Sequence, residues 1–289
     1  METKELLRKI QLLEIRAKGL TKQIFSGDYH SAFKGRGMAF SEVRNYQFGD
    51  EVRTIDWNVT ARYNEPFIKV FEEERELTIM LIIDLSGSSE FGRSAQSKKD
   101  LAIEIAAVLS FSAISNNDKV GAILLTDTVE KFIAPKKGRK HALFLLRELL
   151  NFKPTSKRTN LDEGLKFLNN VQKKRSIVFV LSDFIDENSY LKSLKLARNR
   201  HDTVAIKLYD RVEMELPNLG WIQLFNAETG ETSWIDSSST EAVNRIYEER
   251  LNKDEQLQIE CSKSGIDLIT CETNEDFIKP LTKLFKDRK

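Results

Sequence analysis

The residues best suited to chemistry follow an apolar run near position 84. In MLIIDLSGSSE, residues 80–90, Asp84 comes after four apolar residues, and hydroxyls follow at Ser86 and Ser88. Because side chains of an extended segment alternate in direction, both hydroxyls can point the same way as the Asp84 carboxylate. Gly87 permits a tight turn between them. Carboxylate and hydroxyl oxygens suit a hard divalent cation such as Mg²⁺ or Mn²⁺.

A second aspartate ends another apolar run. SIVFVLSD, residues 176–183, is predicted to be a strand that finishes at Asp183. Ligands of open α/β sheets bind beyond the carboxyl ends of the strands, where strand order reverses. If residues 129–135 form the edge strand, the common order 3-2-1-4-5 makes the strands that end at Asp84 and Asp183 neighbours. The sequence therefore predicts that both carboxylates face one crevice.

Apolar runs of strand length alternate with helical stretches from residue 77 onward. Predicted strands are 77–84, 119–127, 129–135, 176–183 and 202–210, and predicted helices are 98–114, 138–152, 161–172 and 187–200. A hairpin (221–236), a helix (239–263), a short strand (265–273) and a closing helix (276–287) follow. This rhythm predicts a doubly wound α/β domain with a mainly parallel, Rossmann-like sheet.

The first 76 residues differ from the rest in composition. They begin with a charged amphipathic helix and continue with a segment rich in Arg, Glu, Asp and aromatic residues. We therefore predict an N-terminal helix and signature segment over 1–76, and the α/β domain over 77–289.

Composition limits the classes of partner. The 45 basic and 44 acidic side chains of the 289-residue chain nearly cancel, so neither nucleic acid nor an anionic membrane surface is expected as the main partner. No apolar run approaches the ~18 residues of a membrane span. Only two cysteines occur, Cys261 and Cys271, which suits a reducing compartment. The expected location is the cytoplasm.

The segment after the first strand resembles a known motif. Asp84-Leu-Ser86-Gly-Ser88 is similar to the DxSxS of von Willebrand factor A domains, whose metal-ion-dependent adhesion site is completed by a threonine and an aspartate from later loops. Thr159, just before a predicted helix, resembles that threonine, and Asp183 resembles that aspartate. The resemblance implies one Mg²⁺ or Mn²⁺ on these five residues, with an open position for an acidic side chain of a partner protein.

A second resemblance covers residues 35–76. The segment closely resembles the signature of a large bacterial family, domain of unknown function fifty-eight, at Arg44, Tyr46, Gly49, Asp50, Arg53, Ile55, Asp56, Trp57, Ala61, Arg62, Lys69, Phe71 and Glu72. Members are typically encoded beside MoxR-type AAA+ ATPases and are thought to assemble, mature or activate other proteins with them. The resemblance implies such an ATPase as partner. Many members have transmembrane helices before the signature, whereas no direct membrane span is expected here.

Charged and aromatic residues alternate through this signature segment. Such a mixture favours paired, partly buried charges, because planar guanidinium groups match carboxylates at two points. One interpretation is a structural clasp that fastens the segment to the α/β domain. The other is a docking surface for the ATPase, and the two are compatible. Both concern Arg44, Tyr46, Asp50, Arg53, Asp56, Trp57 and Arg62.

The sequence is compatible with three functions. The first is a non-enzymatic, metal-dependent protein-interaction module acting with a MoxR-type ATPase on client proteins. The second is a haloacid-dehalogenase-type phosphotransferase, although Ser86 replaces its usual second aspartate and Asp183 is single where a pair is usual. The third is a metal-free scaffold in which the same polar residues hydrogen-bond to one another. A simpler interpretation of Ser-Gly-Ser alone is a loop that caps the next helix. No GxSxG, GxxxxGK[ST] or GxGxxG motif supports catalysis.

Overall fold

The computed structural model describes residues 3–24, 38–73, 76–90, 96–186, 188–214, 218–225 and 230–288. The chain separates into two compact units, Met1–Phe33 together with Leu77–Lys289, and Lys34–Glu76. Helix α1 (Thr3–Ile24) therefore belongs to the larger unit, where it packs against the helix Lys98–Ser115. This differs from the predicted division, which grouped the helix with the signature segment, because its apolar stripe is buried on the α/β unit.

The smaller unit is an antiparallel strand pair with a helix in the connection. Its elements are β1 (Met38–Asn45), α2 (Trp57–Tyr63) and β2 (Phe67–Glu73). The pair places Arg44 opposite Ile68, which is buried. Helix α2 ends at Asn64, whose φ of 59° is left-handed, and the chain then turns directly into β2.

The larger unit follows the predicted alternation of strands and helices. Its further elements are β3 (Thr78–Asp84), α3 (Lys98–Ser115), β4 (Lys119–Leu125), β5 (Val129–Lys136), α4 (Arg139–Leu150), α5 (Leu161–Val171), β6 (Ile177–Ser182), α6 (Leu191–Arg200), β7 (Asp202–Tyr209), α7 (Arg211–Met214), β8 (Trp221–Phe225), β9 (Thr232–Asp236), α8 (Thr240–Ser264), β10 (Asp267–Glu272) and α9 (Ile278–Asp287). Strands β8 and β9 form the predicted hairpin.

The central sheet has the strand order β10-β7-β6-β3-β4-β5. Neighbouring strands are parallel except for β4 and β5, which pair antiparallel at the edge. This arrangement confirms both the predicted doubly wound α/β class and the predicted order, with β10 added beyond β7. Strand order reverses between β3 and β6, the position at which such sheets bind ligands.

Both faces of the sheet are covered, as the continuous apolar strands require. Alternate residues of β3 enter different cores: Ile79, Leu81 and Ile83 pack with α3, α4 and α9, while Met80 and Ile82 pack with α5, α6 and α8. The strand is therefore held rigidly from both sides. Its last residue, Asp84, is therefore held in a fixed position at the carboxyl end of the strand.

Candidate functional site

The two predicted aspartates lie at the carboxyl ends of neighbouring strands, on the same side of the sheet. Strands β3 and β6 are parallel neighbours with Ile83 opposite Leu181, so Asp84 and Asp183 both follow carboxyl ends of adjoining strands. The predicted adjacency of these strand ends is confirmed. A side-chain hydrogen bond joins the ends, because Ser182 Oγ donates to Asp84 Oδ2 at 2.7 Å.

The loop after β3 is a compact 3₁₀ turn that holds its hydroxyls together. Ser86 Oγ and Ser88 Oγ are 3.2 Å apart, and the Ser86 backbone N–H donates to Asp84 Oδ1 at 3.0 Å. The hydroxyl of Ser89 donates to the Ser86 carbonyl at 2.7 Å, which fixes the turn. These contacts place two predicted ligand hydroxyls beside the first aspartate.

Two further loops meet this turn. Gly87 N donates to the carbonyl of Lys157 at 2.8 Å, which ties the turn to the loop that contains Thr159. Asn188 Nδ2, after β6, donates to the carbonyl of Thr159 at 3.2 Å. Thr159 is buried. The three loops that contain the five predicted metal ligands are therefore directly bonded to one another.

Charge at the strand ends is only partly compensated. Asp84 and Asp183 are 4% and 5% exposed. Burial, and then the nearby Asp183 carboxylate, raise the pKa of Asp84 to about 7. Two neutral groups, Ser86 N and Ser182 Oγ, donate to Asp84. An added cation would relieve this unfavourable negative charge.

Lys98 is a buried cation that the sequence reasoning missed. Its Nζ donates to Asp183 Oδ2 and to Glu213 Oε1, each at 2.8 Å, and the residue is 2% exposed. Burial alone would lower the pKa of Lys98, but Asp183 and Glu213 together raise it above its ordinary value. The ammonium is therefore charged and shared between two carboxylates. Asp183 also accepts from Ile185 N through its other oxygen, at 3.1 Å.

The donor set at the strand ends fits a hard divalent cation. Two carboxylates and three hydroxyls are the oxygen ligands that Mg²⁺ and Mn²⁺ prefer, and Asp84 is an undercompensated carboxylate. Within the described ranges, no group of three or more His, Cys, Asp or Glu side chains is arranged to hold a metal ion. A metal at this site would therefore depend on Ser86, Ser88 and Thr159 as well as the aspartates.

The signature segment contains some of the charge pairs that its sequence predicts. Arg44 donates from both terminal nitrogens to Asp50, at 2.8 and 2.9 Å, and this contact lowers the pKa of Asp50. Asp56 accepts from two backbone N–H groups at the start of α2 and lies 3.4 Å from Lys69 Nζ. Tyr46 is partly buried. These contacts join residues of the segment to one another.

Other signature residues lie on the surface of the small unit. Trp57 is 66% exposed, and Phe48 and Tyr63 are exposed as well. Arg53 and Arg62 are also exposed, and neither forms an ion pair with a residue that the structure describes. Exposed tryptophan and arginine are side-chain types that are enriched at protein-binding surfaces.

Comparison with known proteins supplies a family. The family model described as "Protein of unknown function DUF58" matches residues 42–257. "Uncharacterized protein Rv1480" of Mycobacterium tuberculosis is 30% identical over 228 residues, which are 78% of this chain and 72% of the relative. "Uncharacterized protein YeaD" of Bacillus subtilis is 31% identical over 110 residues, 38% of this chain and 25% of the relative.

Solved structures give more distant likenesses. The "conserved hypothetical protein BatB" of Bacteroides thetaiotaomicron aligns with a TM-score of 0.47 at 11% identity, over 73% of this chain and 98% of that one. The "SpRpn10 VWA domain" aligns with a TM-score of 0.40 at 14% identity, over 71% and 93%. The fold assignment depends on strand order and not on these alignments.

No described helix is both long enough and apolar enough to cross a membrane.

Proposed function

Because the chain belongs to the DUF58 family, we propose that it is a protein-interaction module whose binding depends on a divalent cation at the β3 and β6 strand ends. The observation that supports this proposal most directly is that Asp84 and Asp183 follow the carboxyl ends of two neighbouring strands, with two serine hydroxyls beside Asp84. Strand order also reverses between these two strands.

The residues that would hold Mg²⁺ or Mn²⁺ are Asp84, Ser86, Ser88, Thr159 and Asp183. A bound ion would supply a Lewis-acidic position for a carboxylate of the partner protein. The protein residues position that contact: Ser182 orients the Asp84 carboxylate, and the turn after β3 keeps both hydroxyls in place. Neutral hydroxyl ligands leave more of the cation's charge for the partner than carboxylates would.

The geometry favours binding over catalysis. A phosphotransferase of the haloacid dehalogenase type needs an acid-base carboxylate two residues after its nucleophile, and Ser86 occupies that position. Its hydroxyl lies 3.2 Å from the Ser88 hydroxyl. A serine hydroxyl does not exchange a proton with a leaving group near neutral pH as a carboxyl does. We therefore propose a non-enzymatic role.

We propose a MoxR-type AAA+ ATPase as one partner, with the signature segment as the surface that it contacts. The exposed Trp57, together with Arg53 and Arg62, supports this assignment, since aromatic and arginine side chains dominate the binding energy of protein interfaces. The client protein would supply the acidic side chain at the strand ends. We place this activity in the cytoplasm, which the two free, buried cysteines suit.

Calorimetric titration with Mg²⁺ and Mn²⁺ tests the metal site. The wild-type chain should bind one ion and gain thermal stability, and Asp84→Ala should abolish both effects. Asp127→Ala is the matched control, since Asp127 follows β4 at the same edge but is not a proposed ligand. Absence of both heat and stabilisation with the wild-type chain would rule out metal dependence.

A pair of tryptophan variants tests the docking surface. Trp57 and Trp234 are 66% and 64% exposed, but Trp234 lies in the β8–β9 hairpin outside the signature segment. Binding to the purified ATPase, measured by biolayer interferometry, should weaken at least about tenfold with Trp57→Ala and remain unchanged with Trp234→Ala. Equal effects of the two variants would exclude the signature segment as the specific contact.

One observation favours a second candidate, the metal-free scaffold. The Lys98 ammonium already bonds to Asp183, so the site contains a cation of its own. In this alternative the polar residues only stabilise the loops, and the partner binds without a metal ion. The same titration distinguishes the two functions, because a scaffold neither binds Mn²⁺ nor is stabilised by it.

A further inference from the structure

Lys98 occupies a position that is unfavourable for a lysine in two respects. Its side chain is among the largest that are fully buried, so the charge has lost its hydration. It is also the first residue of α3, where the helix dipole disfavours a positive charge. Among the described residues, the paired carboxylates of Asp183 and Glu213 offset these costs.

Fold stability alone does not account for this choice of residue. Replacing a buried ion pair with packed apolar side chains is often neutral or stabilising. The Lys98 ammonium lies 2.8 Å from an oxygen of Asp183. Asp183 is one of the two carboxylates of the proposed metal site. A fixed positive charge there changes how strongly the site attracts any other cation.

We propose that Lys98 is an internal counter-cation that sets the affinity of the Asp84–Asp183 site for divalent metal ions. This inference rests on the proposed metal site and adds the residue that regulates it. Two carboxylates with Lys98 present have a formal charge of −1, and without Lys98 they have −2. The lysine therefore weakens metal binding, and a partner carboxylate at the open position would strengthen it by adding its own negative charge.

Glu213 gives this arrangement a second control. It holds the same ammonium at 2.8 Å and so draws part of the positive charge away from Asp183. Glu213 lies in α7, and its backbone carbonyl accepts from Arg250 of α8. Neutralising Glu213 leaves Asp183 as the single carboxylate partner of Lys98 in this pair of contacts. Removal of Lys98 and neutralisation of Glu213 should therefore change metal affinity in opposite directions.

Titration of the full chain with Mn²⁺ and Mg²⁺ tests the inference with three variants. Lys98→Met should tighten binding about tenfold or more, and Glu213→Gln should weaken it several-fold. Lys99→Met is the matched control: it removes the same charge from the adjacent residue, whose Nζ reaches the Phe152 carbonyl at 3.4 Å. Its affinity should stay within about twofold of wild type.

The outcomes separate this inference from the proposed function. If the wild-type chain binds metal and Lys98→Met binds it equally or more weakly, Lys98 does not regulate the site, and the metal site itself stands. If only Lys98→Met binds, the inference holds and the native chain acts without metal. If neither binds, both proposals fail. Circular dichroism verifies folding, and if Lys98→Met is unfolded, unchanged affinity in Glu213→Gln overturns the inference.

Discussion

The Ser182 hydroxyl donates to Asp84 Oδ2 at 2.7 Å and accepts from Phe184 N at 2.9 Å. Phe184 has a φ of 58°, a left-handed conformation that is costly for an aromatic residue. One serine therefore orients the buried carboxylate of β3 and also stabilises the strained turn that follows Asp183. The two halves of the candidate site depend on this hydroxyl.

Ser182→Ala should destabilise the protein by about 1–3 kcal/mol, because a buried carboxylate oxygen and a buried N–H each lose their partner. Urea unfolding measures the change. Ser115→Ala is the control, since its hydroxyl bonds to the Phe111 carbonyl at the exposed end of α3. A loss no greater than that of the control would show that the Ser182 contacts contribute little.

Much of the larger unit was predictable from local pattern. The continuous apolar runs that end at Asp84 and Asp183 predicted two buried parallel strands, and the sheet confirms that they are neighbours. The N-terminal amphipathic helix was also predicted, but not the unit to which it belongs. An apolar stripe matches any apolar surface, so its partner depends on the tertiary structure.

The contacts that complete the site were less accessible to sequence reasoning. Lys98 lies 85 residues from Asp183 and 115 from Glu213, so only the packed fold brings the three together. Its sequence context suggests a solvated helix start. The available signal was electrostatic, because a lysine in the first turn of a helix opposes the dipole and requires a compensating partner.

The close approach of β4 and β5 leaves no room for a side chain at Gly121. A Cβ atom there would lie 2.7 Å from the Ile133 carbonyl oxygen and 2.8 Å from Pro135 N, both backbone atoms. Gly121→Ala should therefore cost about 1–3 kcal/mol. Gly19→Ala, at an exposed position of α1 with open space around it, should stabilise by about 0.5–1 kcal/mol. Thermal unfolding compares them, and equal melting temperatures would contradict the packing argument.

An ion pair between α1 and α4 should make stability depend on pH in the acid range. Arg139 bonds to both oxygens of Glu14, at 2.6 and 2.9 Å, and this contact lowers the pKa of Glu14 from 4.5 to about 2. Folding favours the ionised form of Glu14. Its contribution to the free energy of unfolding is therefore complete above the unfolded pKa near 4.5 and is lost as the pH falls to about 2.

Glu14→Gln should lower the free energy of unfolding at pH 7 by about 1 kcal/mol, since Arg139 remains largely exposed to solvent. The difference from wild type should shrink steadily below pH 4.5. Urea unfolding at several pH values measures it. Glu163→Gln is the control, because its pair with Lys166 is exposed and 3.8 Å long. A difference independent of pH would point to lost packing instead of lost charge.

His201 should contribute a second loss of stability on acidification, closer to neutral pH than that of Glu14. It is buried, and neither ring nitrogen has a hydrogen-bond partner among the described residues. Burial, and then the charges of Arg200 and Arg175, lower the pKa of His201 below its ordinary 6.5. The unfolded chain therefore binds a proton more readily than the folded one, and stability should decline as the pH falls below about 6.5.

Two variants separate the proton from the packing at this position. His201→Leu should be at least as stable as wild type at pH 8, because an apolar side chain removes two unpaired polar atoms. Its advantage should grow as the pH falls towards 5, since leucine cannot be protonated. His201→Gln is polar but not titratable. Its stability should depend on pH as little as that of His201→Leu, but it should not exceed wild type at pH 8. A constant difference between wild type and both variants from pH 8 to 5 would exclude His201 as the titrating group.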